Sequence, residues 1–144
     1  MRNNKFYDTA AHYLGVKEWS GKNSNNPVVL DFFKDAGHSW VENDETPWCA
    51  AFVNSVLHDL GVVGTGKLNA RSFLDYGREV SLSNADLGDI LVFWRQDPNS
   101  WKGHVAFFAG FDAKGDILCL GGNQGNAVSI QSYPRSRLLS VRRP

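Results

Sequence analysis

A thiol, an imidazole and a carboxamide stand in the order Cys49, His104, Asn123, an order that would suit cysteine-dependent nucleophilic catalysis. Cys49 follows Thr46-Pro47-Trp48 and precedes the apolar run Ala50-Ala51-Phe52-Val53. Proline is favoured at the first helical position and threonine is a good N-cap, so a helix is predicted from Pro47 with Cys49 as about its third residue. There the unpaired N–H groups and the positive dipole stabilise a thiolate. The same position suits a small buried hydrophobe equally well, because cysteine is among the most buried residue types. A partner must decide between the two readings.

The elements that would supply one follow from texture. Apolar residues at helical spacing predict helices over 7–15 and 28–36, a third from Pro47 to near Gly61, and a short one over 70–76. Cys49 shares a face of the third helix with Phe52, Val53, Val56, Leu57 and Leu60, which would turn the thiol toward whatever that stripe packs on. After Asp89 come β-branched and aromatic runs, predicting strands over 90–94, 104–111, 116–122, 127–132 and 138–142. Helices first and consecutive strands afterwards indicate an α+β fold with an antiparallel sheet.

Strand pairing then offers a base. If Asp112-Ala113-Lys114-Gly115 forms a hairpin loop, Phe111 faces Asp116 and each cross-strand pair sums to 227. His104 then lies opposite Asn123, about 5 Å apart at Cβ. The next pair on that face, Ala106 and Gly121, is small enough to admit a helix end beside the histidine. Cys119 falls opposite Phe108, roughly 13 Å from His104 at about 3.3 Å per residue, and reads as core. A thiol, a base and an orienting amide form a nucleophile–base–orienter set, with Cys49 expected within hydrogen-bonding range of His104.

Other residues have plainer readings. His12 and His58 lie on predicted helices and His38 in a loop. With no His-Glu-x-x-His or Cys-x-x-Cys spacing a zinc site is not the expectation, and a His-plus-Cys zinc amidase is the alternative that spacing leaves open. Asp44 and Glu45 precede the nucleophile helix, where they would cap it or contact substrate. Trp48, Trp94 and Trp101 are candidates to line a groove. The chain of 144 residues carries 15 basic and 15 acidic side chains, which argues against a nucleic-acid partner. Its start lacks the apolar stretch of a signal peptide and no run would span a bilayer, so synthesis in the cytoplasm and no membrane insertion are expected, and the chain is taken as a monomer.

The ordered motifs Pro47-Trp48-Cys49-Ala50-Ala51-Phe52-Val53, Gly88-Asp89-Ile90, Gly103-His104-Val105-Ala106-Phe107 and Leu120-Gly121-Gly122-Asn123-Gln124 resemble those of the NlpC/P60 and CHAP-like cysteine peptidases and amidases that cut bacterial peptidoglycan, especially compact phage endolysins. The resemblance implies a papain-like single catalytic domain over 1–144, with a helical part over 1–40 and an NlpC/P60-like core over 41–144. The nucleophile helix would pack on a five- to six-stranded antiparallel sheet. It makes Cys49 the nucleophile, His104 the base and Asn123 the orienter, with Gln124 the alternative orienter. Substrate contacts would come from Trp48, Asp44, Gln124 and Trp101. The substrate it implies is the peptidoglycan stem peptide, cut at an amide bond through a thioester without metal or cofactor. The site of action would be the bacterial wall or periplasm, reached through a phage holin. Two alternatives are a secreted-toxin amidase, or another cysteine amidohydrolase, and a non-catalytic wall-binding module.

Overall fold

The computed structural model describes residues 4–19, 25–40 and 47–144. Three helices come first, α1 (Lys5–Ala11), α2 (Pro27–Asp35) and α3 (Cys49–Asp59). A 3₁₀ turn over Ala70–Asp75 leads to the strands β1 (Arg78–Val80), β2 (Ile90–Trp94), β3 (Gly103–Phe111), β4 (Ile117–Gly121), β5 (Ser129–Tyr133) and β6 (Leu138–Arg143). They form one antiparallel sheet in the order β1-β6-β2-β3-β4-β5. The α+β architecture is the one expected. The unexpected strand is β1, whose three residues are too few to show an alternation.

Local chemistry accounts for the helix starts. At α2 the Asn26 side chain accepts from the Val28 N–H at 2.9 Å and Pro27 occupies the first turn. At α3 the expectation is corrected: the helix begins at Cys49, with Trp48 as the N-cap residue in a non-helical conformation. The cause is packing. Trp48 is fully buried, stacked on Phe32, and its indole N–H donates to Glu18 at 2.8 Å. Holding that ring in the core keeps Pro47 outside the helix and makes Cys49 the first helical residue. The predicted cap, Thr46, lies outside the described residues.

α3 is the axis of the molecule. Every residue from Cys49 to Leu57 is buried, so the expected apolar stripe is a helix enclosed on all sides. Its two buried polar residues are satisfied: Asn54 bonds Ala50, Gly66 and Lys67 backbone groups, and Ser55 donates to Asp35. One face of the sheet, through Ile90, Val92, Val105, Phe107 and Leu120, joins α1, α2 and α3 in a single core. The opposite face gathers Leu91, Phe93, Ala106, Phe108, Ile117 and Cys119 in a second. Residues of 4–19 and 25–36 thus help build the core around α3. Among the described residues no helix is long and apolar enough to cross a membrane.

Candidate active site

The β3–β4 hairpin tests the predicted register in detail. Phe111 faces Ile117, so the loop holds five residues, Asp112 to Asp116. Asp112 organises it, its carboxylate accepting from the Lys114 and Asp116 N–H groups at 2.9 Å each. This one-residue offset is cancelled by a bulge between Phe108 and Gly110, beyond which Phe108 faces Cys119 and Phe107 faces Leu120. Two departures compensate, and the predicted pairing returns on the stretch that leads to His104.

The chain then leaves the ladder earlier than expected. β4 ends at Gly121, and Asn123 has a left-handed backbone, φ 57°. The turn aims Gln124 back at the sheet, so the amide that bonds the imidazole is Gln124, with Oε1 2.8 Å from His104 Nε2. Asn123, placed opposite His104 by the strand count, instead lines the cleft beside Cys49. Both glycines are needed. A Cβ at Gly121 would lie 2.7 Å from the Gln124 amide oxygen, and one at Gly122 would lie 2.7 Å from Phe52. Gly121 therefore makes room for Gln124 rather than for the helix. The start of α3 is admitted at Gly122.

Gln124 fixes the tautomer of His104. Its Nε2 donates to the carbonyls of Cys119 at 3.1 Å and Ser129 at 2.8 Å, which leaves Oε1 to face the ring. His104 Nε2 must then carry the proton, and Nδ1 is a free acceptor. The Tyr133 ring stacks on the imidazole, centroids 4.9 Å apart, and holds its plane. Nδ1 is buried and has no hydrogen-bond partner. The hydrogen bond expected between Cys49 and His104 is therefore not formed. The N–H that lowers the thiol is instead that of Val105, the residue after His104. A buried orphan nitrogen costs about 1–3 kcal/mol of desolvation, a cost expected where a reacting group is awaited.

Burial dominates the electrostatics of both groups. It pushes the Cys49 thiol up, while the Val105 N–H, the Arg95 charge and the N–H groups of Ala50 and Cys49 itself pull it back. Burial pulls His104 down to about 4, opposed by the Gln124 hydrogen bond and reinforced by Arg95. At neutral pH the pair is thus a thiol and a neutral imidazole with a lone pair at Nδ1, chemistry suited to general-base activation. Cys49 opens on a cleft of about 420 Å³ whose walls include Pro47, Arg95, Trp101, Lys102 and Asn123.

Of the other predicted contacts, Trp101 stands at the cleft and is three-quarters exposed. Trp48 is corrected to a core residue, since it has no exposed surface to offer a substrate. Gln124, also 2 % exposed, meets the imidazole rather than a ligand. Asp44 and Glu45 lie outside the described residues. The strand count missed Tyr133 and Arg95. Extending it to the β2–β3 pair, where Trp94 faces Gly103, would have set Arg95 beside Lys102 at the mouth of the site.

The segment after α1 also serves this site. Residues 15–18 run along 126–128, with Gly15 donating to Val128 at 3.0 Å and Glu18 to Asn126 at 2.9 Å. Glu18 therefore ties the loop that follows Gln124 to Trp48 at the start of α3. A potential metal-ligand group among the described residues, Asp35, His58 and Asp59, sits at the other end of α3. At about 1.5 Å per residue it is roughly 15 Å from Cys49, too far to share its chemistry.

The chain resembles solved structures across nearly its whole length. The peptidoglycan hydrolase RipB from Mycobacterium tuberculosis matches with a TM-score of 0.58 and 18% identity, covering 96% of this chain and 62% of that one. A protein similar to lipoprotein of the NLP/P60 family from Staphylococcus aureus matches with the same TM-score and identity, covering 96% of this chain and 40% of that one. The chain thus spans less than two thirds of the length of either, and at this identity they establish the shared papain-like α+β fold. No curated protein matches the sequence. The model of the CHAP domain matches residues 41–123, more than half of the chain and every position from the start of α3 to Asn123. By that match, the chain belongs to the CHAP domain family.

Proposed function

We propose that this CHAP domain is a peptidoglycan hydrolase that cuts an amide bond of the stem peptide by cysteine nucleophilic catalysis. The observation that carries the reading is the orphaned, buried Nδ1 of His104, whose tautomer is fixed by Gln124. Nδ1 takes the Cys49 proton as the sulfur attacks the scissile carbonyl. The developing oxyanion is held by N–H groups at the start of α3, that of Cys49 among them. The imidazolium then gives its proton to the leaving amine, leaving a thioester on Cys49. Water, deprotonated by Nδ1, hydrolyses the thioester and frees the thiol.

Gln124 acts as the orienter and Asn123 as a wall of the substrate cleft. The wall as substrate is supported by the family and by the fold shared with RipB, which its description calls a peptidoglycan hydrolase. A phage endolysin released through a holin is one setting for this chemistry; a toxin amidase would use the same steps. Mass spectrometry of purified peptidoglycan after digestion tests the proposal. The expected result is a new amine on a stem-peptide residue, absent with Cys49→Ala. An unchanged sacculus would overturn the substrate. Wall binding retained by Cys49→Ala, with no hydrolysis by the unsubstituted protein, would favour the binding module.

A further inference from the structure

The cleft beside Cys49 carries a charge pattern that peptide hydrolysis alone does not require. Arg95 is the first residue after β2, and its N–H donates to the Lys102 carbonyl at 3.3 Å, which closes the β2–β3 ladder at the lip of the site. Both residues line the cleft with the thiol, and its described lining contains no aspartate or glutamate. Among the described residues neither cation has a carboxylate within ion-pairing distance.

The backbone that carries this cationic wall is held in place. Arg71 reaches across to three carbonyls of the connecting loop, those of Lys102 at 2.8 Å, Pro98 at 2.9 Å and Asp97 at 3.1 Å. Gly103 allows the close approach, since a Cβ there would sit 2.8 Å from the Phe93 carbonyl. The Lys102 ammonium lies over the Trp101 ring, 5.6 Å from its centroid. A guanidinium at the mouth of a concave site focuses field on an incoming anion, and its planar fork matches a carboxylate.

We propose that Arg95, supported by Lys102, recognises a free carboxylate next to the scissile amide, so the preferred substrate is an acidic peptide rather than its amidated counterpart. The substrate class rests on the hydrolase reading above. The anion preference at Cys49 does not. An alternative use for Arg95 would be to stabilise the Cys49 thiolate, and the test must separate the two.

Alkylation of the native protein by iodoacetate and by iodoacetamide, mapped to Cys49 by peptide mass spectrometry and normalised to glutathione, does so. Both reagents consume the same thiolate, so a change in thiol acidity cancels in the ratio of their rates. Only the anionic reagent senses a neighbouring cation. Arg95→Gln is expected to lower the iodoacetate-to-iodoacetamide ratio about tenfold, the scale of one charge-assisted contact. Arg95→Lys should restore part of it, Lys102→Gln should lower it less, and added salt should shrink every difference. A ratio unmoved by Arg95→Gln, with both rates falling together, would overturn anion recognition and leave thiolate stabilisation.

The second arm uses stem peptides matched except for a carboxylate or a carboxamide beside the cleaved bond. The unsubstituted protein should favour the acid through a lower KM, and Arg95→Gln should cut both alike. Equal cleavage by the unsubstituted protein would overturn the specificity. Cleavage of neither peptide, with the alkylation ratio still dependent on Arg95, would overturn the hydrolase reading and uphold the anion site.

Discussion

Cys49 and Cys119 are both free thiols in buried positions, and the sheet lies between their surroundings. Cys119 sits inside the core on the face turned away from α3, its sulfur 3.6 Å from the Ile117 carbonyl, and burial pushes its acidity far out of reach with nothing to oppose it. Burial raises Cys49 too, but the Val105 N–H, the Arg95 charge and the start of α3 all oppose it, and a cleft opens on it. Burial does not separate a reactive thiol from a filler. What differs at Cys49 is the neighbouring N–H groups, the Arg95 charge and an open cleft. Cys119 still contributes to the site, through its carbonyl, which holds the Gln124 amide.

Substitution at the two positions should break the symmetry most sharply. Cys49→Ala is expected to reduce peptidoglycan hydrolysis to background with circular dichroism unchanged. Cys119→Ala should keep hydrolysis and lose about 1 kcal/mol of stability in a urea titration, as a small buried truncation does. Equal loss of activity at both positions would erase the distinction.

Next in size are the groups proposed to make Cys49 a nucleophile. His104→Ala should lower kcat/KM by about 10²–10⁴-fold, the usual worth of a positioned acid–base group. Gln124→Ala should cost less in rate, about tenfold or more, while stranding the His104, Cys119 and Ser129 groups it satisfies. Gln124→Glu separates its roles: a carboxylate beside Nε2 favours the imidazolium, so the acid limb of the kcat/KM profile should move to higher pH.

The same histidine makes stability depend on pH. Its folded pKa, about 4, lies below the ordinary value of about 6.5, so the unfolded chain binds the proton first as pH falls. The contribution of neutral His104 is complete above about pH 6.5 and is lost on going down toward pH 4, by up to roughly 3 kcal/mol. Urea titrations across that window should show the slope in the unsubstituted protein and flatten it in His104→Gln. A slope unchanged by the substitution would place the titrating group elsewhere.

The smallest effect concerns the strut between the N-terminal segment and the site. Glu18→Gln keeps an acceptor for the Trp48 indole, and Glu18→Ala removes it. The alanine variant should lose about 1 kcal/mol, the glutamine variant less, and the difference should appear in the melting temperature.

How far the sequence disclosed this site depends on the range of the forces involved. Strands β2 to β6 were legible because their β-branched and aromatic runs are local. β1 was not, since its three residues gain order only by pairing with β6, more than fifty positions away. Cys49 and His104 were singled out from a helix-start pattern and a strand count. The count succeeded on β3 and β4 because a longer loop and a bulge cancelled, which alternation alone does not reveal. It failed at Asn123, where the chain had already turned out of the ladder, and the role of Gln124 depends on carbonyls from β4 and β5 that meet only in the folded sheet. Trp48 was misjudged as a groove residue because a tryptophan beside a nucleophile reads the same whether it faces solvent or core.

The account turns on the Cys49 sulfur forming a covalent bond to the substrate carbonyl carbon. The most direct measurement is acid quenching of an active digest of soluble stem peptides, followed by proteolysis and mass spectrometry of the cysteine-containing peptides. The account predicts an acyl adduct of stem-peptide mass on Cys49, released by hydroxylamine, with Cys119 unmodified. Continued hydrolysis by Cys49→Ala, with no adduct on the unsubstituted protein, would contradict it.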